Sequence, residues 1–247
     1  MKTLLTIFIL FISLTSQAQD TELKIIYDYV NHAVKNTHHM ELRAKDDVVL
    51  SYTIRMVKTG PRKANTYKLT ADSTLLYKDY ASNYLQYEER LGQEQLVMEE
   101  DLKLFKWTKI RERDSILTYP CRTAIAEFRG REYKAYYTTK LKHTAAPWKF
   151  HGLPGVVLKV CSIDDVVSYQ ARSIELIEDG APITNPFEGE KTISFGDFSK
   201  KYRAYHRDVV KMRRKRAAQQ GRAMPEFNTA PRVEIIIPDN RFILNTD

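Results

Sequence analysis

Residues 147–160 read Pro147-Trp148-Lys149-Phe150-His151-Gly152-Leu153-Pro154-Gly155-Val156-Val157-Leu158-Lys159-Val160. Within them, Leu153-Pro154-Gly155-Val156 fits a type II turn: proline presets φ at the second position and glycine supplies the positive φ demanded at the third. The chain must reverse sharply there. Val156 to Val160 then forms an almost wholly apolar, β-branched run, which suits a strand covered on both faces near the middle of a sheet. Trp148 and Phe150 precede the turn on the same side of an extended segment, which predicts that they anchor the loop.

Working outward, Tyr119 to Phe128 and Arg131 to Thr139 are extended runs that flank Arg129-Gly130, the pattern of a tight hairpin. Tyr133, Ala135 and Tyr137 fall on one face of the second run, with Lys134, Tyr136 and Thr138 opposite. Tyrosines on both faces fit an amphipathic lining, and they also fit the edge of a core. Beyond the turn, Val156 to Ser162 and Val166 to Ile177 predict a further hairpin through Ile163-Asp164-Asp165. Cys121 and Cys161 lie on strands that such a meander could set side by side. In an oxidising compartment an even cysteine count predicts a disulfide, worth about 4 kcal/mol on the chain-entropy model, with two buried thiols that never meet as the alternative.

This region resembles the GLPGLI family, secreted proteins of Gram-negative bacteria named for that hexapeptide. The likeness is carried by the turn, by Tyr119-x-Cys121, by Phe128-Arg129-Gly130-Arg131 and by Tyr136-Tyr137-Thr138, and it spans roughly Trp107 to Asp165. The chain departs at Val156-Val157, where the family name has Leu-Ile, and at Thr118 and Ala146, where the family tends to have glycine. The resemblance implies a location and a fold; the family has no established activity to carry over.

The N-terminus agrees with export. Lys2, the apolar run from Leu4 to Leu14 and Ser16-Gln17-Ala18 predict a signal peptide over residues 1–18, leaving residues 19–247 as one domain. No cysteine stands at the cut, so no lipid anchor is expected, and a periplasmic or secreted location follows. The formal net charge is +8.

Elsewhere, Leu23, Ile26, Val30 and Ala33 give Asp20 to Lys35 helical spacing, with strand as the alternative because Leu23, Ile25, Tyr27 and Tyr29 alternate. Asp47 to Val57 alternates as a half-buried strand. Gly60-Pro61 breaks it, and Asn65 to Leu69, Thr74 to Lys78 and Tyr84 to Arg90 are shorter strands. Glu94, Glu99, Glu100 and Asp101 read as a charged edge or loop rather than acid/base machinery, and Arg111 to Asp114 as a charged turn. His32, His38 and His39, beside Met40, read as solvated histidines rather than a soft-metal site. Gly180 to Lys191 reads as a surface loop.

Phe198 to Arg216 predicts a helix capped by Asp197, with Phe198, Tyr202, Tyr205, Val209 and Met212 on its apolar face. The opposite face is basic. Lys200, Arg203, Arg207, Lys211 and Arg214 on it offer contact with an anionic membrane surface, and export argues against nucleic acid as a partner. Arg232 to Leu244 predicts a last strand.

Together these elements predict a mainly β fold: an antiparallel meander sheet, curled or half-barrel-like, with a basic amphipathic C-terminal helix packed on it. The chain lacks Gly-x-Ser-x-Gly, His-Glu-x-x-His, a phosphate loop, a dinucleotide fingerprint and Cys-x-x-Cys, and neither a metal nor a cofactor is expected. The expected function is a non-enzymatic envelope binding protein. It would hold an apolar or peptide ligand, a lipid, or a partner protein against Trp148, Phe150, His151, Gly152, Leu153, Pro154 and Gly155, with Tyr133, Tyr136 and Tyr137 from the hairpin. The alternatives are a hydrolase built on His151 or His143 with a carboxylate supplied by the fold, and membrane-surface binding by the helix.

Overall fold

The computed structural model describes residues 21–33, 35–58, 67–102 and 105–222. The expected signal peptide, the Gly60-Pro61 break and the strand expected over Arg232 to Leu244 lie outside the described residues. In chain order the elements are β1 (Glu22–Asn31), β2 (Asn36–Lys45), β3 (Val48–Lys58), β4 (Tyr67–Asp79), β5 (Tyr84–Leu91), β6 (Glu94–Asp101), β7 (Thr108–Ile116), β8 (Tyr119–Phe128), β9 (Arg131–Thr138), β10 (Val156–Ser162), β11 (Val167–Ile177), β12 (Thr192–Ser194) and α1 (Phe195–Gln219).

All twelve strands join one open sheet, in the order β12-β6-β5-β4-β3-β2-β1-β11-β10-β9-β8-β7. Every neighbouring pair is antiparallel except β12 with β6. The fold is mainly β, as expected, with α1 packed on the sheet. Consecutive hairpins build two meanders, and β1 pairing with β11 welds them at the centre.

That central place makes Glu22 to Asn31 a strand rather than a helix. Leu23, Ile25 and Tyr27 are fully buried on one face, so the two-residue alternation decided the outcome over the helical spacing. Arg111 to Asp114 is likewise no turn but the middle of β7, an edge strand whose charges discourage pairing with another chain. The helix starts earlier than expected. Ser194, not Asp197, is its N-cap, and the Ser194 hydroxyl accepts from the Asp197 N–H at 3.1 Å while Asp197 lies in the first turn.

The expected disulfide is not formed, and both cysteines are free. β9 lies between their strands: Cys161 pairs with Lys134, whereas Cys121 stands one residue beyond Arg122, which pairs with Tyr137. Four residues along β9 and two strand spacings put them ~16 Å apart, and a disulfide needs Cα atoms within ~7 Å.

Residues 139–155 do not skirt the surface. They cross the inner face of the sheet, where Phe150 is fully buried among Phe105, Tyr133 and Trp148, with ring centroids 5.0 to 5.2 Å away. A buried loop must find partners for its backbone polar groups. Lys78, fully buried on β4, supplies two, donating from Nζ to the carbonyls of Ala146 at 2.7 Å and Phe150 at 2.8 Å. The return turn has the expected geometry at Gly155, whose φ is +107°.

A second hydrophobic cluster lies under α1, where Phe198 and Tyr202 pack against Leu91, Leu96 and Met98. The Tyr205 ring rests over Gly92 in the β5–β6 turn.

Two substitutions should move stability in opposite directions. A Cβ at Gly155 would run into the Thr138 carbonyl oxygen at a φ that disfavours any side chain. Gly155→Ala is therefore expected to lower unfolding free energy by at least ~2 kcal/mol. Thr118, at φ +69° in the β7–β8 turn, already carries such strain, and Thr118→Gly should raise stability by ~1 kcal/mol. Urea unfolding of the two variants checks both signs.

Candidate functional site

The sheet curls far enough to bring its two wings together through buried charge. Glu100 on β6, second from one edge, forms ion pairs with Lys149 of the crossing loop and with Arg129 of the β8–β9 turn. Lys149 Nζ donates to Glu100 Oε1 at 2.9 Å and to the Tyr87 hydroxyl at 2.7 Å. The Tyr87 hydroxyl in turn donates to Glu100 at 2.5 Å. The Arg129 guanidinium stacks 3.1 Å from the Phe195 ring at the start of α1. Burial alone would raise the Glu100 carboxyl, but Lys149 and Arg129 outweigh it and hold the group below the usual carboxylate range.

Beside this knot an open cavity of about 370 Å³ remains on the inner face. Its floor is an aromatic ladder at one register across three strands: Tyr169 on β11 pairs with Tyr29 on β1, which pairs with His38 on β2. The Tyr29 ring stacks on Tyr169 at 4.7 Å and on His38 at 6.2 Å. Met40, Leu76 and Trp148 add apolar wall, while Glu88 and Glu89 stand among the lining groups. The cavity owes its width to a bulge in β4. Ser51 pairs with Leu76 but Thr53 pairs with Asp72, so three β4 residues oppose Tyr52 alone. β4 also leaves β5 beyond Leu76. Two lining residues hold left-handed backbone, Trp148 at φ +45° and Thr74 at φ +131°, and bulky residues in that region concentrate where a site requires them.

Of the loop residues expected to bind, Trp148 lines this cavity. Phe150 and Leu153 are buried in the core, Gly152 and Pro154 are exposed, and Gly155 shapes the turn. Tyr133 is fully buried against Phe150. Tyr136 donates to Glu112 at 2.9 Å, and Tyr137 lines a separate cavity beside β7. None of the three hairpin tyrosines lines the cavity beside Trp148.

Neither histidine proposed as a base has a carboxylate or hydroxyl in hydrogen-bond reach among the described residues. His151 Nδ1 meets the Lys149 carbonyl at 3.3 Å and His143 Nε2 the Thr21 carbonyl at 2.8 Å. Burial, then the neighbouring Lys78 charge, pushes His151 down to about 4. His39 is not simply solvated but bonds Asp28 at 2.8 Å, and His38 belongs to the cavity floor. On α1, Lys200 pairs with Asp197 and Lys201 with Glu94, while Arg203, Arg207 and Lys211 are exposed and Arg214 is half-buried.

The sequence reading missed Lys78, Glu100 and Lys149. For the first two a signal existed: Leu76-x-Lys78 and Met98-x-Glu100 put charges on the inward parity of strands whose other inward residues are apolar.

No family model and no curated protein matches the chain. Among solved structures it is similar to PNGF-II, in the C2 and P21 crystal forms alike, at 17% identity and a TM-score of 0.50. That match covers 70% of this chain and 31% of PNGF-II, so the chain spans about a third of that protein's length. The Pseudomonas aeruginosa MucA/MucB complex aligns at 10% identity and a TM-score of 0.34, over 67% of this chain and 54% of that one. The likeness to PNGF-II concerns the fold alone.

Acid should loosen the knot. A carboxylate held low, as in Glu100, stabilises the fold above its unfolded value and loses that contribution as pH falls through the folded one. His151 acts in the same direction: between its ordinary 6.5 and about 4 the unfolded chain takes up a proton that the native state refuses. Melting temperature is therefore expected to fall from pH 6.5 towards 4, and His151→Gln should flatten the slope over that window. At pH 7, Glu100→Gln leaves the Lys149 ammonium without its carboxylate and should cost ~3–5 kcal/mol in urea unfolding.

Proposed function

We propose that the protein is a non-enzymatic binding protein of the cell envelope, exported and of the GLPGLI type, which holds an apolar or peptide ligand in the cavity beside Trp148. The observation that carries this reading is the cavity itself. At about 370 Å³ it falls within the ~300–1,000 Å³ of small-molecule sites, and a largely apolar wall with a few polar groups is their usual chemistry. Stacked faces of Tyr29 and Tyr169 suit a flat or extended apolar group, and the nearby carboxylates of Glu88 and Glu89 suit a ligand with a polar or basic end. Trp148 is held in this wall in a backbone conformation it would not adopt unaided, which favours a site over mere packing. The likeness to PNGF-II supports the fold beneath this reading.

Native mass spectrometry of the protein, purified without detergent from its own envelope, tests it. A bound lipid or peptide is expected in wild type and should be absent from Met40→Trp, which fills the cavity floor. Near-ultraviolet circular dichroism should show that this variant stays folded. An empty wild-type protein, or an adduct that survives Met40→Trp, would count against the cavity as the site.

A further inference from the structure

A second cavity, of about 510 Å³, lies at the β7 edge of the sheet. It arises where the ladder fails. Ile110 pairs with Thr123, but the next pair is Arg113 with Arg122, so Arg111 and Glu112 bulge out with nothing opposite them. Thr123 and Tyr137 line the gap, both fully buried, and neither hydroxyl has a hydrogen-bond partner. Buried groups without partners are rare in folded proteins because each forfeits the water it bonded when unfolded. Arg122 pairs with Tyr137, so the Tyr137 hydroxyl shares the face of that arginine and points to a ligand there, whereas Thr123 pairs with Tyr136 and projects from the other face.

The charges around the gap specify its kind. Lys109, Arg111, Arg113 and Arg122 line it as well, and none of them forms an ion pair among the described residues. Arg113 and Arg122 stand directly opposite each other, an arrangement of like charge that disfavours the pairing of their strands. The carboxylate among them is already engaged, since Glu112 accepts from Lys134 at 3.0 Å and from Tyr136 at 2.9 Å. A metal cation therefore has no free carboxylate here, whereas an anion meets cations and the Tyr137 hydroxyl.

We propose that the β7 bulge binds the phosphate group of a phosphate-bearing ligand. The Arg113 and Arg122 guanidinium groups donate to its oxygens in the forked geometry that arginine offers phosphate, with the Tyr137 hydroxyl on the same face completing the shell. A dianion matches this surplus of positive charge better than a lone carboxylate, and the hollow is larger than a bare ion needs. The phosphate can belong to a soluble ester or to a lipid headgroup.

The experiment uses the full chain and reads binding two ways at matched ionic strength. One arm is the shift in melting temperature with sodium phosphate against sodium chloride; the other is co-sedimentation with phosphatidylcholine vesicles with and without phosphatidic acid. Wild type should respond to phosphate, to phosphatidic acid or to both, and Arg113→Gln with Arg122→Gln should weaken that response at least tenfold. Tyr137→Phe should lower affinity while leaving the unliganded protein as stable as wild type or more so, because its hydroxyl has no protein partner to lose. A response to free phosphate assigns a soluble ester, and a response to vesicles alone assigns a headgroup. Wild type that responds to neither, or variants that respond as wild type does, would overturn the site.

Discussion

The ion pairs of Glu100 with Lys149 and Arg129 set the shape on which the rest depends. An open sheet of twelve strands has no geometric reason to stop curling at a given radius, since strand twist alone leaves its edges unjoined. Here β6 near one edge is tied to the β8–β9 turn near the other, through a carboxylate that is almost fully buried. A buried pair gains little net energy over apolar packing but becomes expensive when one member is missing, so such a knot specifies an arrangement more than it stabilises one. Its members belong to three separate parts of the chain. The curl, the crossing loop and the start of α1 therefore share one set of contacts.

The loop explains why the interior tolerates so many amines. A segment of seventeen residues without regular structure carries backbone carbonyls that would be orphaned under a sheet. Lys78 satisfies two of them with the two N–H donors that even a neutral amine keeps, and burial pushes this lysine well below its ordinary range. The partners of Lys78 Nζ are backbone carbonyls, with no carboxylate among them. Lys149, by contrast, sits against Glu100 and over the Tyr87 ring at 4.0 Å, an environment built for charge. Two buried lysines thus solve different problems, one as a hydrogen-bond bracket and the other as half of a salt link.

Much of the fold was legible because local chemistry and tertiary demand agreed. The Leu153 to Val160 turn and strand, both hairpins beside it and the amphipathic helix each follow from a pattern within about a dozen residues. The errors lie where distant pairing decided. Glu22 to Asn31 satisfies helix and strand periods alike, and only its seat between β2 and β11 selects the strand. Arg111 to Asp114 looks like a turn because β7 is an edge whose outward and inward residues are equally polar. The cysteines were misjudged for the same reason: their strands were expected side by side, whereas β9 lies between them and register places them at different heights along it. Of the candidate site, Trp148 was legible from its place before the turn. The aromatic ladder was not, because Tyr169 is brought into line with Tyr29 and His38 by a pairing more than a hundred residues apart in sequence.

The same accounting explains where empty space survives. A curled sheet this broad encloses more volume than its own side chains fill, and the chain supplies two inserts, the 139–155 loop and α1. Each builds its own hydrophobic cluster, and Trp148 and Tyr80 are the residues that touch both. The cavity lies at this seam, walled by Trp148 of the loop and by Thr74 and Leu75 of the β4 bulge. Closing it by collapse would require Trp148 to swing inward, but the two residues that follow it are fixed, Lys149 by the salt link and Phe150 by the aromatic core. The constraint that joins the two wings of the sheet is thus also what keeps the cavity open, and a sequence that lost the salt link would be free to lose the cavity with it.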